Sequence, residues 1–305
     1  MDIGSNSVHL LVATVVGHRL EPVVDESSFL GLGATVDRQA HLGAAARREL
    51  VDTLARYATT ARQFGARQIT FMGAEPIRRA ADAAVVCLDV WTTTGVPVHV
   101  LTHEEEAYLT LVGVASGRQV RRETLVVDIG GGSSEFCAIG ARGRVRAAGI
   151  RIGSDRLAAR HVEHDPATDD EIAAMLADAD VVLRDALDVR PAELVIVGGT
   201  ASNLLKVTSA GPADPLITRA RLAEALANLT MTPAAMSAER YVLNPTRARI
   251  LPAGAVIVDA LMRRYGVTQV RVSEAGMREG AILIAAHAPD GWRDRLPELV
   301  HGWRS

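Results

Sequence analysis

The chain opens on two stretches rich in apolar residues, Val8 to Val16 and Leu20 to Asp25, with Gly17-His18 between them. That pattern predicts a strand pair joined by a turn. From about Ala44 to Phe64, Leu50, Leu54 and Tyr57 recur at helical spacing, and Gly65 fits a helix stop. Gln68 to Met72 and Pro97 to Leu101 read as short buried strands, and Ile77 to Trp91 between them as mainly helical. Strands first, then helix and strand in alternation, predict an α/β domain.

The pattern then restarts. Thr124 to Asp128, Phe136 to Gly140 and Val145 to Ala148 read as strands, Asp169 to Val189 as a helix and Glu193 to Val197 as a strand. Helices are expected around Arg219 to Leu229 and Ala253 to Tyr265, a strand over Val267 to Val272 and a helix over Gly276 to Ala286. Val162 to Asp170 and Ala210 to Pro215 read as loops. The restart carries an echo: Asp2-Ile3-Gly4-Ser5-Asn6-Ser7 returns as Asp128-Ile129-Gly130-Gly131-Gly132-Ser133-Ser134. Two such hairpins in tandem α/β halves predict two lobes with both turns facing one cleft.

Composition narrows the class. With 305 residues, 48% of them hydrophobic, the chain can fill two ordinary cores, and 23% charged residues argue against disorder. The longest apolar runs fall far short of a membrane span, and no signal-peptide pattern opens the chain. Cys87 and Cys137 lack metal-ligand spacing and read as reduced, buried thiols, so a cytoplasmic location is expected. A net charge of −3 argues against nucleic acid as a partner but leaves room for a locally basic pocket. Lys206 is the one lysine, so cationic contacts to phosphate fall to arginine, which can grip two oxygens at once.

Turns of glycine and serine let backbone N–H groups face an anion without side-chain obstruction, and an aspartate at the strand end can hold a divalent cation. For Gly130-Gly131-Gly132 alone, a tight hairpin with no ligand is the plain alternative. The matching Asp2 to Ser7 loop and a third turn at Gly198-Gly199-Thr200 weigh against it. Neither loop has the Gly-Lys-Ser/Thr ending of a P-loop. The run Glu104-Glu105-Glu106 opens an expected helix, where acidic residues ordinarily just suit the dipole. Its position between the two hairpins singles out a carboxylate that can deprotonate a water for in-line attack on a phosphoryl group. Arg78 and Arg79, at the expected start of a helix, are either a solvated pair or a phosphate clamp.

These residues together resemble the exopolyphosphatase and guanosine pentaphosphate phosphatase family, a branch of the superfamily that includes sugar kinases, heat-shock chaperones and actin. The markers are Asp2 to Ser7, Glu105-Glu106-Ala107, Asp128 to Glu135, Val197-Gly198-Gly199-Thr200 and Arg278-Glu279-Gly280. The resemblance implies two actin-like (ribonuclease H-like) ATPase-fold domains flanking a cleft, residues 1–117 plus about 280–305 and residues 118–279. By the same resemblance Glu106 is the general base, and Asp128 and Glu135 help to place water and metal. Asp2 faces the same metal, which would be Mg²⁺. Ser5, Asn6, Ser7, Gly130, Gly131, Gly132, Ser133, Gly198, Gly199 and Thr200 match phosphate-cradling positions, and Arg78 the arginine for terminal phosphates.

The departures are specific. Only Met1 precedes Asp2 where relatives carry an apolar strand, so the first loop is expected to be poorly anchored. Ala74-Glu75-Pro76 stands where relatives read Thr-Ser-Ala, which removes hydroxyls and adds a carboxylate beside the anion site. Arg249, two residues after Arg247, takes a place that is often acidic. The length matches a bare two-domain enzyme, without the further C-terminal domains that longer relatives use on long polyphosphate. The expected activity is release of terminal phosphate from short inorganic polyphosphate. Guanosine pentaphosphate is the alternative substrate, and a low-turnover phosphate or nucleotide sensor the alternative class. A homodimer is an expectation from the resemblance alone.

Overall fold

The computed structural model describes residues 1–17, 19–116, 119–208, 214–288 and 291–302. His18 of the expected first turn and residues 210–213 of an expected loop lie outside them. The first sheet comprises β1 (Asp2–Ile3), β2 (Ser7–Val16), β3 (Arg19–Phe29), β4 (Phe71–Gly73) and β5 (Val98–Val100), in the order β3-β2-β1-β4-β5. β1 to β3 form an antiparallel meander, and β4 and β5 add parallel to β1. The second sheet comprises β6 (Thr124–Ile129), β7 (Ser134–Ile139), β8 (Val145–Ile150), β9 (Glu193–Val197), β10 (Leu216–Thr218) and β11 (Gln269–Val272). Its order, β8-β7-β6-β9-β11 with β10 at the edge, repeats that of the first sheet. The echo of Asp-Ile-Gly is thus a duplication of architecture: each copy lies at the hairpin between the first and second strands of its sheet.

The helices are α1 (Leu32–Gln39), α2 (Gly43–Gln63), α3 (Glu75–Arg79), α4 (Ala83–Thr94), α5 (His103–Ser116), α6 (Ser154–His161), α7 (Asp169–Val182), α8 (Gly198–Val207), α9 (Arg219–Met231), α10 (Ala234–Tyr241), α11 (Pro245–Tyr265), α12 (Met277–His287) and α13 (Trp292–Gly302). One core joins the first sheet to α2 and α4 through Ile3, Leu10, Leu50, Leu54, Tyr57, Phe71 and Val86. A second joins Leu125, Val127, Phe136 and Ile196 to α7, α8 and α11. A third lies on the opposite face of the second sheet, where Val126, Cys137 and Val195 meet α5, α12 and α13. Residues alternate between the second and third cores along β6, so a sheet covered on both faces reads as one apolar run.

Helix α5 crosses α12 at backbone contact. A Cβ placed on Gly113 would lie 1.9 Å from the Gly276 carbonyl oxygen, and one on Gly280 1.8 Å from that of Leu109. No side chain larger than hydrogen fits either position without the helices separating.

Most expected elements are present with shifted ends. β4 begins at Phe71, not Gln68, because its partner β1 offers only Asp2 and Ile3 for pairing. The helical stretch from Ile77 splits into α3 and α4 around Ala80 to Asp82. There the Asp82 carboxylate accepts hydrogen bonds from the Leu42 and Gly43 amides at the start of α2, at 2.9 and 3.0 Å. α7 stops at Val182 and α11 starts earlier than expected, at Pro245, behind an Asn244 cap. Helices α1, α6, α8, α10 and α13 and strand β10 are further elements that the pattern did not signal. Neither cysteine is in a disulfide; Cys137 is buried, Cys87 only half-buried. Among the described residues no helix is long and apolar enough to cross a membrane.

Candidate active site

The first loop is held from behind. The Ser5 carbonyl accepts from Gly33 N at 2.8 Å, the Asn6 carbonyl from Leu30 N and Gly31 N at 2.9 Å each, and Gly4 N donates to Ser7 O. The Met1 amine donates to Thr70 O at 2.7 Å. The expectation of a poorly anchored loop is therefore corrected: residues 30–33 and Thr70 hold it in place.

The second loop is tied back in the same manner. Gly130 O accepts from Ser154 N, Gly131 O from Asp155 N and Arg156 N, and Gly132 O from Arg156 Nε. The start of α6 thus draws the carbonyls away from the turn, the arrangement an anion-binding concavity needs. Glycine is required here: a Cβ on Gly131 would lie 2.0 Å from Asp155 Oδ2 and 3.0 Å from Asn6 Nδ2. That contact also sets the two loops face to face. Asn6 Nδ2 is buried beside the Asp155 carboxylate.

Gly198-Gly199-Thr200 is the first turn of α8 rather than a separate loop. Gly198 has φ +90°, and a Cβ there would stand 2.5 Å from Asp128 Oδ1, so this glycine makes room for the carboxylate. Thr200 bonds Ser154, not the cleft, and Ser7 accepts from Arg247 at 3.3 Å.

The acidic residues gather where the sequence suggested. On α5, Glu106, Thr110 and Gly113 share one face. Glu106 forms an ion pair with Arg78, Thr110 donates to Asp128 Oδ2 at 3.4 Å, and Gly113 takes the contact with Gly276. Arg78 sits in the last turn of α3, not at a helix start, and also donates to Leu101 O at 2.6 Å. Glu135 accepts from Ser133 Oγ at 2.7 Å and meets His103 Nδ1 at 2.8 Å. The same ring nitrogen lies 3.0 Å from an Arg78 nitrogen, so it faces an acceptor and a donor at once. Glu104 and Glu105 stay outside this group; Glu105 pairs with Arg293 on α13.

Withdrawal from water raises all four carboxyls: Asp2 to about 7, Asp128 to about 6, and Glu106 and Glu135 well above the ordinary glutamate range. Mutual repulsion adds to this for Glu106 beside Glu135, while Arg78 opposes it. Burial lowers His103, and Arg78 lowers it further. A raised carboxyl contributes stability that is full below its unfolded value and lost as pH climbs through its folded one. For Asp128 that window runs from 3.8 to about 6. The melting-temperature difference between wild type and Asp128→Asn, in metal-free buffer, is expected to fall for the wild type across that range. A difference that stays flat with pH would contradict the assigned desolvation.

Among the described residues no three His, Cys, Asp or Glu side chains form a ready metal cluster. The donor set nonetheless suits a hard cation that keeps water and phosphate ligands. Asp2 Oδ1 is buried without a partner, and Asp128 and Glu279 repel Asp2 further.

His103, Asp155, Arg156 and Arg247 join the site without a motif to announce them. His103 precedes the acidic run directly, but its role depends on Gly149, where a Cβ would fall 2.3 Å from the imidazole.

The two sheets of matching order make a two-domain actin-like ATPase fold. The Ppx/GppA phosphatase family model matches residues 11–288, and the chain belongs to that family. It is an enzyme that hydrolyses phosphoric anhydrides. It is 28% identical to exopolyphosphatase 1 of Mycobacterium leprae over 93% of this chain and 87% of that one. With exopolyphosphatase 1 of Mycobacterium tuberculosis the identity is also 28%, over 93% and 86%. Among solved structures, the Aquifex aeolicus Ppx/GppA family member superposes with a TM-score of 0.81 at 24% identity, covering 95% of this chain and 97% of that one. An exopolyphosphatase from Cytophaga hutchinsonii gives 0.82 at 23% identity, with 92% and 95% covered. These two likenesses concern the fold.

Proposed function

We propose that the chain releases the terminal phosphate of short inorganic polyphosphates by in-line attack of water. The observation that carries this reading is the cluster of Glu106, Arg78, His103 and Glu135 beside two opposed glycine loops whose carbonyls are tied away from the cleft. Glu106 takes the proton of the attacking water; its raised pKa moves it toward the pH at which it works, where a general base is most effective. Asn6, Ser133 and the loop amides hold the phosphoryl oxygens, and Arg78 exchanges Glu106 for the charge that develops on them. Asp2, Asp128 and Glu135 would hold Mg²⁺, which offsets phosphate charge when bound. His103, seated against Glu135, fixes the orientation of Arg78.

The names of the mycobacterial relatives favour polyphosphate over guanosine pentaphosphate. The test is phosphate release from tripolyphosphate and from guanosine pentaphosphate, each with Mg²⁺ and with a chelator. Faster release from tripolyphosphate, lost on chelation, is the expected result. The reverse ranking transfers the reading to guanosine pentaphosphate. Release from neither overturns it in favour of a phosphate sensor.

A further inference from the structure

Glu75 lies deeper than a surface carboxylate on a short helix would, with 3% of its surface exposed. Its Oε1 accepts from Arg79 at 2.6 Å and from Arg156 at 2.7 Å, and its Oε2 from Ser5 Oγ at 3.3 Å. A carboxylate so withdrawn from water is stable only with this kind of pairing. The three donors come from different parts of the fold. Ser5 belongs to the first loop, Arg79 to α3, and Arg156 to α6 of the second half. Arg156 is itself pinned by donating Nε to Gly132 O at 2.8 Å.

The fourth wall is Gly132. A Cβ there would stand 2.7 Å from Glu75 Oε2, so the carboxylate rests against the bare backbone of the second loop. Glu75 therefore fills the gap between Ser5 and Gly132, the two turns that face each other across the cleft. Two guanidinium groups, a hydroxyl and an unobstructed glycine turn are the donor set that grips a tetrahedral oxyanion.

We propose that Ser5, Arg79, Arg156 and the Gly132 turn form a phosphate subsite whose resident anion is the Glu75 carboxylate, and that Glu75 thereby limits how much phosphate the cleft admits. Asp37 shares both arginines, at 2.7 Å from Arg79 and 3.2 Å from Arg156. Two cations and two carboxylates leave the cluster neutral, so an entering phosphate meets no uncompensated positive charge while Glu75 stays. Substrate phosphates are confined to the Arg78 side. Without the Glu75 carboxylate, the cluster keeps a net positive charge and a space of oxyanion size. The limit on substrate size rests on the hydrolase reading; the anion subsite does not.

The experiment is a calorimetric titration with inorganic phosphate and with tripolyphosphate, in metal-free buffer, of wild type, Glu75→Ser and Glu75→Ser with Arg156→Gln. Glu75→Ser is expected to bind tripolyphosphate about tenfold more tightly than wild type, and the added Arg156→Gln to remove that gain. Equal or weaker binding by Glu75→Ser overturns the proposal, as does a gain that survives the loss of Arg156. Thermal melts check that the variants fold. If Glu75→Ser does not fold, the isosteric Glu75→Gln carries the test, with a gain expected in the same direction. Phosphate release by the wild type, measured separately, decides the polyphosphate reading: tighter binding by Glu75→Ser without any turnover of tripolyphosphate would keep the subsite and sink that reading.

Discussion

Glu106→Gln is expected to lower kcat for phosphate release by about 10²- to 10⁴-fold while leaving KM nearly unchanged. Glutamine keeps the volume and can still accept from Arg78, but it cannot take a proton from water. The wild-type carboxyl is suited to that step because two forces oppose each other on it. Burial and the neighbouring Glu135 raise its pKa, and Arg78 holds the rise in check. A steady-state comparison on tripolyphosphate with Mg²⁺ reads the split. A rise in KM with kcat preserved would mean that Glu106 only positions Arg78 for binding. A kcat within tenfold of wild type would remove Glu106 from the role of base and direct attention to Glu135.

Local chemistry made part of this site legible in advance. Asp-Ile-Gly followed by small residues favours a turn, so both hairpins, and with them the doubled architecture, could be read from residues 2–7 and 128–134. The periodic stretch through Leu50, Leu54 and Tyr57 fixed α2 in the same way, ending beside Gly65 at φ +76°. Long-range contacts were not legible. The start of β4 depends on how much of β1 is available to pair with it, sixty-nine residues earlier in the Met1 to Thr70 hydrogen bond. Glu75 stood out as an unusual residue at its position, but the guanidinium that buries it belongs to Arg156, 81 residues away. His103 carries no motif at all; its place between Arg78 and Glu135 exists only once α5 has docked against β8 at Gly149. Gly198 could be seen as a turn former, whereas its duty toward Asp128 follows from the parallel pairing of β6 with β9.

Gly280→Ala is expected to cost about 1–3 kcal/mol of stability and to reduce phosphate release at temperatures where the variant remains folded. The reason is the α5–α12 crossing. The alanine methyl would stand 1.8 Å from the Leu109 carbonyl oxygen and 2.9 Å from the Gly113 amide nitrogen, both backbone atoms with no rotamer by which to yield. Relief requires the helices to part, and α12 is fixed at its start by Glu279, which accepts from Gly276 N at 2.7 Å. The displacement therefore falls on α5, the helix that carries Glu106 and His103 into the cleft and Thr110 onto Asp128. Ala286→Ser, on the exposed face of the same helix, is the control and should leave both melting temperature and rate near wild type. If Gly280→Ala instead melts with the wild type and keeps its rate, α5 and α12 must be free to slide apart at little cost. The crossing would then be a shear surface between the two sheets rather than the rigid support on which the geometry of Glu106 depends.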